Sequence, residues 1–278
     1  KSAHQGEWLK SSNDCFEVRG KTLGLIGYGH IGSQVSVLAE SIGMKVIYFD
    51  VEPKLSLGNA QQIKNLDELL KKSDIVSLHV PGSLSTNNMI NESNISKMKK
   101  GSVLINLSRG DVIDMDALKK ALDKNYLGGA AIDVFPDEPE KNRDKFKSPL
   151  QGMSNVILTP HIGGSTIEAQ ENIGVDVATK LISFLETGSS VGSLSVPSLS
   201  LPVQHDSHRL LHIHKNVPGI LSKINSILSE MNVNILGQYL QTNNHIGYVV
   251  LDVDSATSSS VLNEIRKVKY TIKARSLY

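Results

Sequence analysis

Gly27, Gly29 and Gly32 are spaced G-x-G-x-x-G, behind the apolar run Thr22–Gly27 and ahead of a helical pattern over Ile31–Ile42. No other feature constrains the chain as much. The first glycine permits a tight turn, the second lets a ligand approach the backbone, and the third lets helix and strand close on each other. His30 and Ile31 then sit at a helix N-terminus, where unpaired N–H groups favour an anion such as a pyrophosphate. Asp50 ends the next apolar run, Lys45–Phe49, eighteen residues beyond Gly32. An acid at that place can accept hydrogen bonds from ribose hydroxyls and repel a 2′-phosphate, so the pattern predicts NAD over NADP.

The surrounding rhythm agrees. Further short apolar runs at Ile75–Val80, Val103–Asn106, Ala130–Val134 and Val156–Thr159 alternate with helical stretches such as Asp67–Lys72 and Met115–Lys124. This alternation predicts an α/β unit: a doubly wound parallel sheet with helices on both faces. Ser165 and Glu168 have capping-box spacing before a long helix with Ala169, Ile173, Val177, Leu181 and Phe184 on one stripe. Thr187–Ser207 is rich in Ser and Gly, with Pro197 and Pro202, and reads as a linker. After it, Leu210–His214, a helix opened by Pro218 and Gly219, Asn234–Gln241, Tyr248–Val253, a helix near Ser258–Lys267 and Thr271–Leu277 give β-α-β-β-α-β, the ferredoxin-like order.

Composition excludes other classes. With a net charge of +1 and no long apolar run, the 278 residues carry no sign of nucleic-acid or membrane binding. The one cysteine, Cys15, rules out an internal disulfide and fits a reducing cytoplasm. No metal-ligand spacing occurs, and His4, His30, His205, His208, His212 and His245 read as surface or packing residues, His30 meeting a bound phosphate only incidentally.

Three polar residues sit just past apolar runs, where doubly wound sheets bind ligands. Arg109 follows Val103–Asn106, Glu138 follows Ala130–Val134, and His161 follows Val156–Thr159. A cation, an acid/base and a partner for that base are what oxidation of a hydroxy acid needs beside a nicotinamide. The segments INLSRGDVID, AAIDVFPDEP and LTPHIGGST resemble the three signatures of the D-isomer-specific 2-hydroxyacid dehydrogenases. The resemblance implies that Arg109 binds the substrate carboxylate, His161 exchanges the hydroxyl proton, and Glu138 fixes the imidazole. It also implies cofactor contacts at His79, Val80, Pro81, Thr86, Asn106, Ser108, Asp133, Gly163 and Gly164.

Longer matches, among them CFEVRGKTLGLIGYGHIGSQ and LTPHIGGSTIEAQENIG, resemble the bacterial-type phosphoglycerate-oxidising members of that family. The final segment resembles their ACT domain, an amino-acid-binding module. What this implies is oxidation of 3-phosphoglycerate to phosphohydroxypyruvate, the first step of serine biosynthesis. L-serine would act as effector at His214, Asn216, Val217, Gly219 and Asn234. A Gly-containing loop at a helix N-terminus suits a carboxylate, and Asn side chains suit an ammonium.

The implied layout is a remnant of a substrate lobe over 1–18, the NAD domain over 19–165 and a helix returning to the lobe over 166–187. A linker over 188–206 and an ACT domain over 207–278 follow. Most of the family's N-terminal substrate lobe is missing from this reading, so the chain carries the catalytic residues with an incomplete substrate site. The family's assembly implies a homo-oligomer: a dimer core in which Trp8 meets a partner, paired into a tetramer through the ACT domains. Two alternatives stay open: another D-2-hydroxyacid dehydrogenase bearing an ACT domain, or a truncated chain that binds NAD and an amino acid without turnover.

Overall fold

The computed structural model describes every residue except 1, 2, 14, 203–206, 255–257 and 278. His205 and part of the expected linker therefore lie outside the described residues. The chain divides into two compact units, Lys1–Thr166 and Ile167–Tyr278.

In the first unit, seven strands form one sheet: β1 (Thr22–Ile26), β2 (Lys45–Phe49), β3 (Gln61–Gln62), β4 (Ile75–Leu78), β5 (Val103–Asn106), β6 (Gly129–Ile132) and β7 (Val156–Leu158). Their order is β3-β2-β1-β4-β5-β6-β7, and every neighbouring pair is parallel. The helices are α1 (His30–Ser41), α2 (Leu66–Lys72), α3 (Glu92–Ile95) and α4 (Met115–Asp123). Two 3-10 turns, Ala3–Gln5 and Gly110–Val112, complete the unit.

Both sheet faces are apolar, which is why the strands read as continuous runs. Leu23, Leu25, Val46 and Tyr48 pack on one face with Ala39 of α1, and Ile26, Val76, Leu78 and Leu104 pack on the other with α2 and α4. The glycine inside β1 has its own cause. A Cβ on Gly24 would lie 2.0 Å from Ser73 Oγ and 2.8 Å from Leu69, so only glycine lets α2 close on the strand. Asn65 and Asp114 cap α2 and α4 by accepting from backbone N–H groups in the first turn.

The second unit begins with α5 (Ile167–Thr187). It starts at Ile167, two residues after Ser165, and none of its residues is buried; Ile173, Val177 and Leu181 are each more than half exposed. Then come β8 (His208–Lys215), α6 (Ile220–Glu230), β9 (Ile235–Thr242), β10 (Ile246–Val253), α7 (Ser258–Lys267) and β11 (Thr271–Leu277). The antiparallel order β11-β8-β10-β9 is the ferredoxin-like topology that the sequence predicts. Leu210, Val249 and Leu251 on one face pack against Ile220, Ile224, Val261 and Ile265 of the helices.

The other face corrects the linker reading. Residues 188–202 fold back onto the sheet, with Leu199 and Leu201 packed against Leu211, Tyr248 and Val250. Ser190 organises this loop: its N–H donates to Leu199 O at 2.9 Å, its hydroxyl donates to Pro197 O at 2.7 Å, and its oxygen accepts from Leu199 N. One guanidinium holds both ends, since Arg209 Nη1 donates to Thr187 O at 2.8 Å and to Pro202 O at 3.1 Å. The same side chain forms a buried two-point pair with Asp252 at 2.6 and 2.9 Å. Ser- and Pro-rich composition suggests a free tether, but these fixed partners make the segment part of the unit.

Candidate active site

The crevice between β1 and β4 is where the strand order reverses. Gly27 occupies left-handed backbone with φ +92°, and a Cβ there would lie 2.3 Å from His79 O, so the glycine turn and the end of β4 touch. A Cβ on Gly32 would lie 2.3 Å from Gly27 O, which is the close helix–strand approach expected of the third glycine. Gly29 differs: apart from its two chain neighbours, no described protein atom lies within 4 Å of where its Cβ would be. Protein packing leaves that position open, as approach of a pyrophosphate requires. Asp50 Oδ2 accepts from Tyr28 N at 2.8 Å and Oδ1 accepts from Glu52 N at 3.0 Å, fixing the carboxylate at the end of β2. Tyr28 is stacked on Tyr48, with ring centroids 3.7 Å apart. His30 and Ile31 are exposed at the start of α1. These residues fit NAD.

His79 is partly buried and its Nε2 lies 3.0 Å from Ser77 Oγ; burial pushes its pKa below the ordinary histidine value. Val80 is partly buried and Pro81 exposed. Thr86 is buried, with its hydroxyl donating to Pro81 O at 2.7 Å and accepting from Ser83 N at 2.9 Å.

Arg109, Glu138 and His161 follow β5, β6 and β7, three adjacent parallel strands. Their loops are built to meet. Gly110 packs directly on Phe135 and Pro136, since a Cβ there would fall 2.0 Å from Phe135 C. Asn106 is fully buried and holds the Arg109 loop, donating to Arg109 O at 2.9 Å and accepting from Ser108 N and Ser108 Oγ. The Arg109 side chain is exposed and donates to Ser108 O at 2.6 Å.

Glu138 and His161 are brought into direct contact, His161 Nδ1 to Glu138 Oε2 at 2.7 Å. The other carboxylate oxygen, Oε1, accepts from Phe135 N at 2.9 Å. Burial pushes the Glu138 carboxyl up, but the bonds from His161 and Phe135 outweigh it, and its pKa sits below the ordinary value. With Nδ1 on Glu138, the imidazole has Nε2 left for a substrate hydroxyl. Arg109 makes no hydrogen bond to this pair in the structure.

His161 itself lies in left-handed backbone, φ +52°, a conformation uncommon outside glycine. Asp133, which sequence matching assigns only to the nicotinamide pocket, accounts for it. It is 3% exposed, and its carboxylate accepts from Thr159 Oγ1 at 2.6 Å, Ile162 N at 3.0 Å and Gly163 N at 3.2 Å. Its carbonyl takes the N–H of His161 at 2.8 Å. Burial raises the Asp133 pKa, and these bonds together with the nearby His161 more than reverse that, leaving it below the usual carboxylate value. Gly163 and Gly164 are exposed beside it.

In the second unit, the expected effector residues fall in two places. His214 is buried on β8, its ring stacked on His212 at 5.0 Å. Asn216 Nδ2 donates to Asn243 O at 2.7 Å, Val217 packs partly into the core, and Gly219, with φ +88°, opens α6. Asn234 is exposed beside Asp254, at the far end of β10. Eight strand residues at about 3.3 Å each put roughly 25 Å between the two groups. One copy therefore does not bring Asn216 and Asn234 together.

Residues 1–163 match the family described as D-isomer specific 2-hydroxyacid dehydrogenase, NAD binding domain, and residues 210–273 match an AHAS small subunit-like ACT domain. D-3-phosphoglycerate dehydrogenase of Haemophilus influenzae is 54% identical over 275 residues, covering 99% of this chain and 67% of that protein. The Escherichia coli K12 protein of the same name is 54% identical over 278 residues, with 68% of it covered. Among solved structures, a Lactobacillus delbrueckii D-isomer specific 2-hydroxyacid dehydrogenase in its NAD-complexed form superposes with TM-score 0.60 at 33% identity, covering 67% of this chain and 60% of that one. An Aquifex aeolicus D-lactate dehydrogenase complexed with NAD and lactic acid gives 0.59 at 36% identity, covering 66% and 59%. The chain thus spans about two thirds of the length of the curated relatives and less than two thirds of these solved chains. With its crevice fitted to NAD and its Glu138–His161 pair at adjacent strand ends, the chain belongs to the D-isomer-specific 2-hydroxyacid dehydrogenase family.

Proposed function

We propose that this chain serves the NAD-dependent oxidation of 3-phospho-D-glycerate to 3-phosphohydroxypyruvate, the first step of L-serine biosynthesis. The observation that carries the chemistry is the 2.7 Å bond between His161 Nδ1 and Glu138 Oε2 past the ends of β6 and β7. NAD, when bound, supplies the hydride acceptor for C2. Nε2 of His161 takes the C2 hydroxyl proton while Nδ1–H stays on Glu138, and Arg109 holds the substrate carboxylate. Asp133 sets the loop that aims the imidazole. The substrate assignment is supported by the relatives that match 99% of the chain at 54% identity, both called D-3-phosphoglycerate dehydrogenase. Turnover of 3-phosphoglycerate with NAD, compared with lactate and glycerate, tests it; preference for either of the latter two would point to another member of the family.

We further propose that the second unit binds L-serine between two copies of the chain. The separation of Asn216 from Asn234 within one copy supports this: a ligand touching both needs a second copy. The working form is then a homo-oligomer, a dimer core paired into a tetramer through these units. The exposed Trp8 fits a contact in that core, and the cytoplasm is the expected compartment.

A further inference from the structure

The reaction proposed above places two anionic groups on a three-carbon substrate, and Arg109 accounts for one of them. The Glu138–His161 pair forms one wall of a cavity of about 380 Å³. Lys141, Asn142 and Arg143, in the loop after Glu138, line the same space. Among the described residues, neither Lys141 nor Arg143 has a carboxylate within ion-pairing distance, so both charges are open to a ligand. Arg143 also sits in left-handed backbone, φ +74°, a conformation uncommon outside glycine. Asp144 lines the space too, its N–H tied to Lys141 O at 3.2 Å.

We propose that Lys141 and Arg143 form a subsite for the phosphoryl group of the substrate, so that part of the phosphate grip lies on the nucleotide-binding unit itself. This rests on the phosphoglycerate reading of the reaction. A guanidinium and an ammonium are the two side chains suited to a phosphate: the first binds two oxygens in one plane, the second acts as a point charge. Their place in the His161 cavity lets the phosphoryl group dock while C2 stays against the imidazole. Asp144 sets a lower charge on the wall, which tempers affinity and eases product release.

Two measurements test this independently. In the first, the chain is titrated with inorganic phosphate and the amide resonances of residues 140–147 are followed. Saturable shifts are expected there, lost in the Lys141→Gln/Arg143→Gln variant while NAD binding persists. Shifts no larger than those from chloride at equal ionic strength overturn the subsite. In the second, the dehydrogenase carrying the same two substitutions is assayed with 3-phosphoglycerate and with D-glycerate. KM for 3-phosphoglycerate is expected to rise roughly tenfold or more, the preference over D-glycerate to fall with it, and Asp144→Asn to act in the opposite direction. An unchanged preference overturns the subsite. Failure of the parent enzyme to turn over 3-phosphoglycerate would instead overturn the reaction, and the phosphate titration would still decide the subsite.

Discussion

His161 gives its backbone N–H to the carbonyl of Asp133 at 2.8 Å, while the Asp133 carboxylate holds the next two amides, those of Ile162 and Gly163. The acid at the end of β6 thus dictates the backbone of the proposed general base after β7. Asp133→Asn puts an amide donor among these donors. It should destabilise the first unit by about 1.5–3 kcal/mol, the range for hydrogen bonds to a charged group, as read by denaturant unfolding. The folded-state pKa of Asp133 is depressed, so its contribution is present above the ordinary carboxylate range and is lost as pH falls through the lower folded value. Equal stability of variant and parent at neutral pH would show that the loop holds itself.

Asp50, fixed by Tyr28 N and Glu52 N, is the residue proposed to set cofactor choice. Calorimetry should show NAD binding far more tightly than NADP, and Asp50→Ala should narrow the gap by removing both an acceptor and a repulsive charge. Comparable affinities in the parent chain would exclude that role.

The second unit should weaken in mild acid. Burial, helped by the neighbouring His214, pushes the His212 pKa down to about 4, against an ordinary value of about 6.5. The unfolded chain therefore takes up the proton first as pH falls. Stability is full above about pH 6.5, declines through the interval and is lost by about pH 4, on the order of 3 kcal/mol for this residue. Burial pushes the His214 pKa down too, which adds in the same direction. Hydrogen exchange at the β8 amides from pH 7 to pH 4.5 reads this directly; constant protection would contradict it.

Serine should inhibit the complete enzyme, with glycine and alanine much weaker. An effector acts only through its differential affinity for two states, and couplings are typically about 1–3 kcal/mol, so inhibition is substantial without being total. Asn216→Ala should weaken it. A variant inhibited as strongly as its parent would leave the second unit as an assembly element.

Much of this was legible in the residues, for physical reasons. β1, β2 and β5 show as apolar runs because both sheet faces are covered, and Asp50 is found by its spacing from the glycines. The strand Gln61–Gln62 is invisible because it is polar and held only by pairing with β2. The positive φ of His161 cannot be read either, since it depends on Asp133, twenty-eight residues away. The loop 188–202 looks like a tether because its Ser, Gly and Pro content carries no trace of Arg209 closing its two ends. Arg109, Glu138 and His161 could be picked out by position, but that Glu138 meets His161 directly is a fact of the folded chain.

His161, oriented by Glu138, is proposed to move the substrate proton. The most direct measurement is steady-state turnover of 3-phosphoglycerate with NAD by the complete enzyme and its His161→Ala variant, with NAD binding followed in parallel. Turnover is expected to fall ~10²–10⁴-fold while NAD affinity is retained. Turnover within a few fold of the parent, at unchanged NAD affinity, would contradict it.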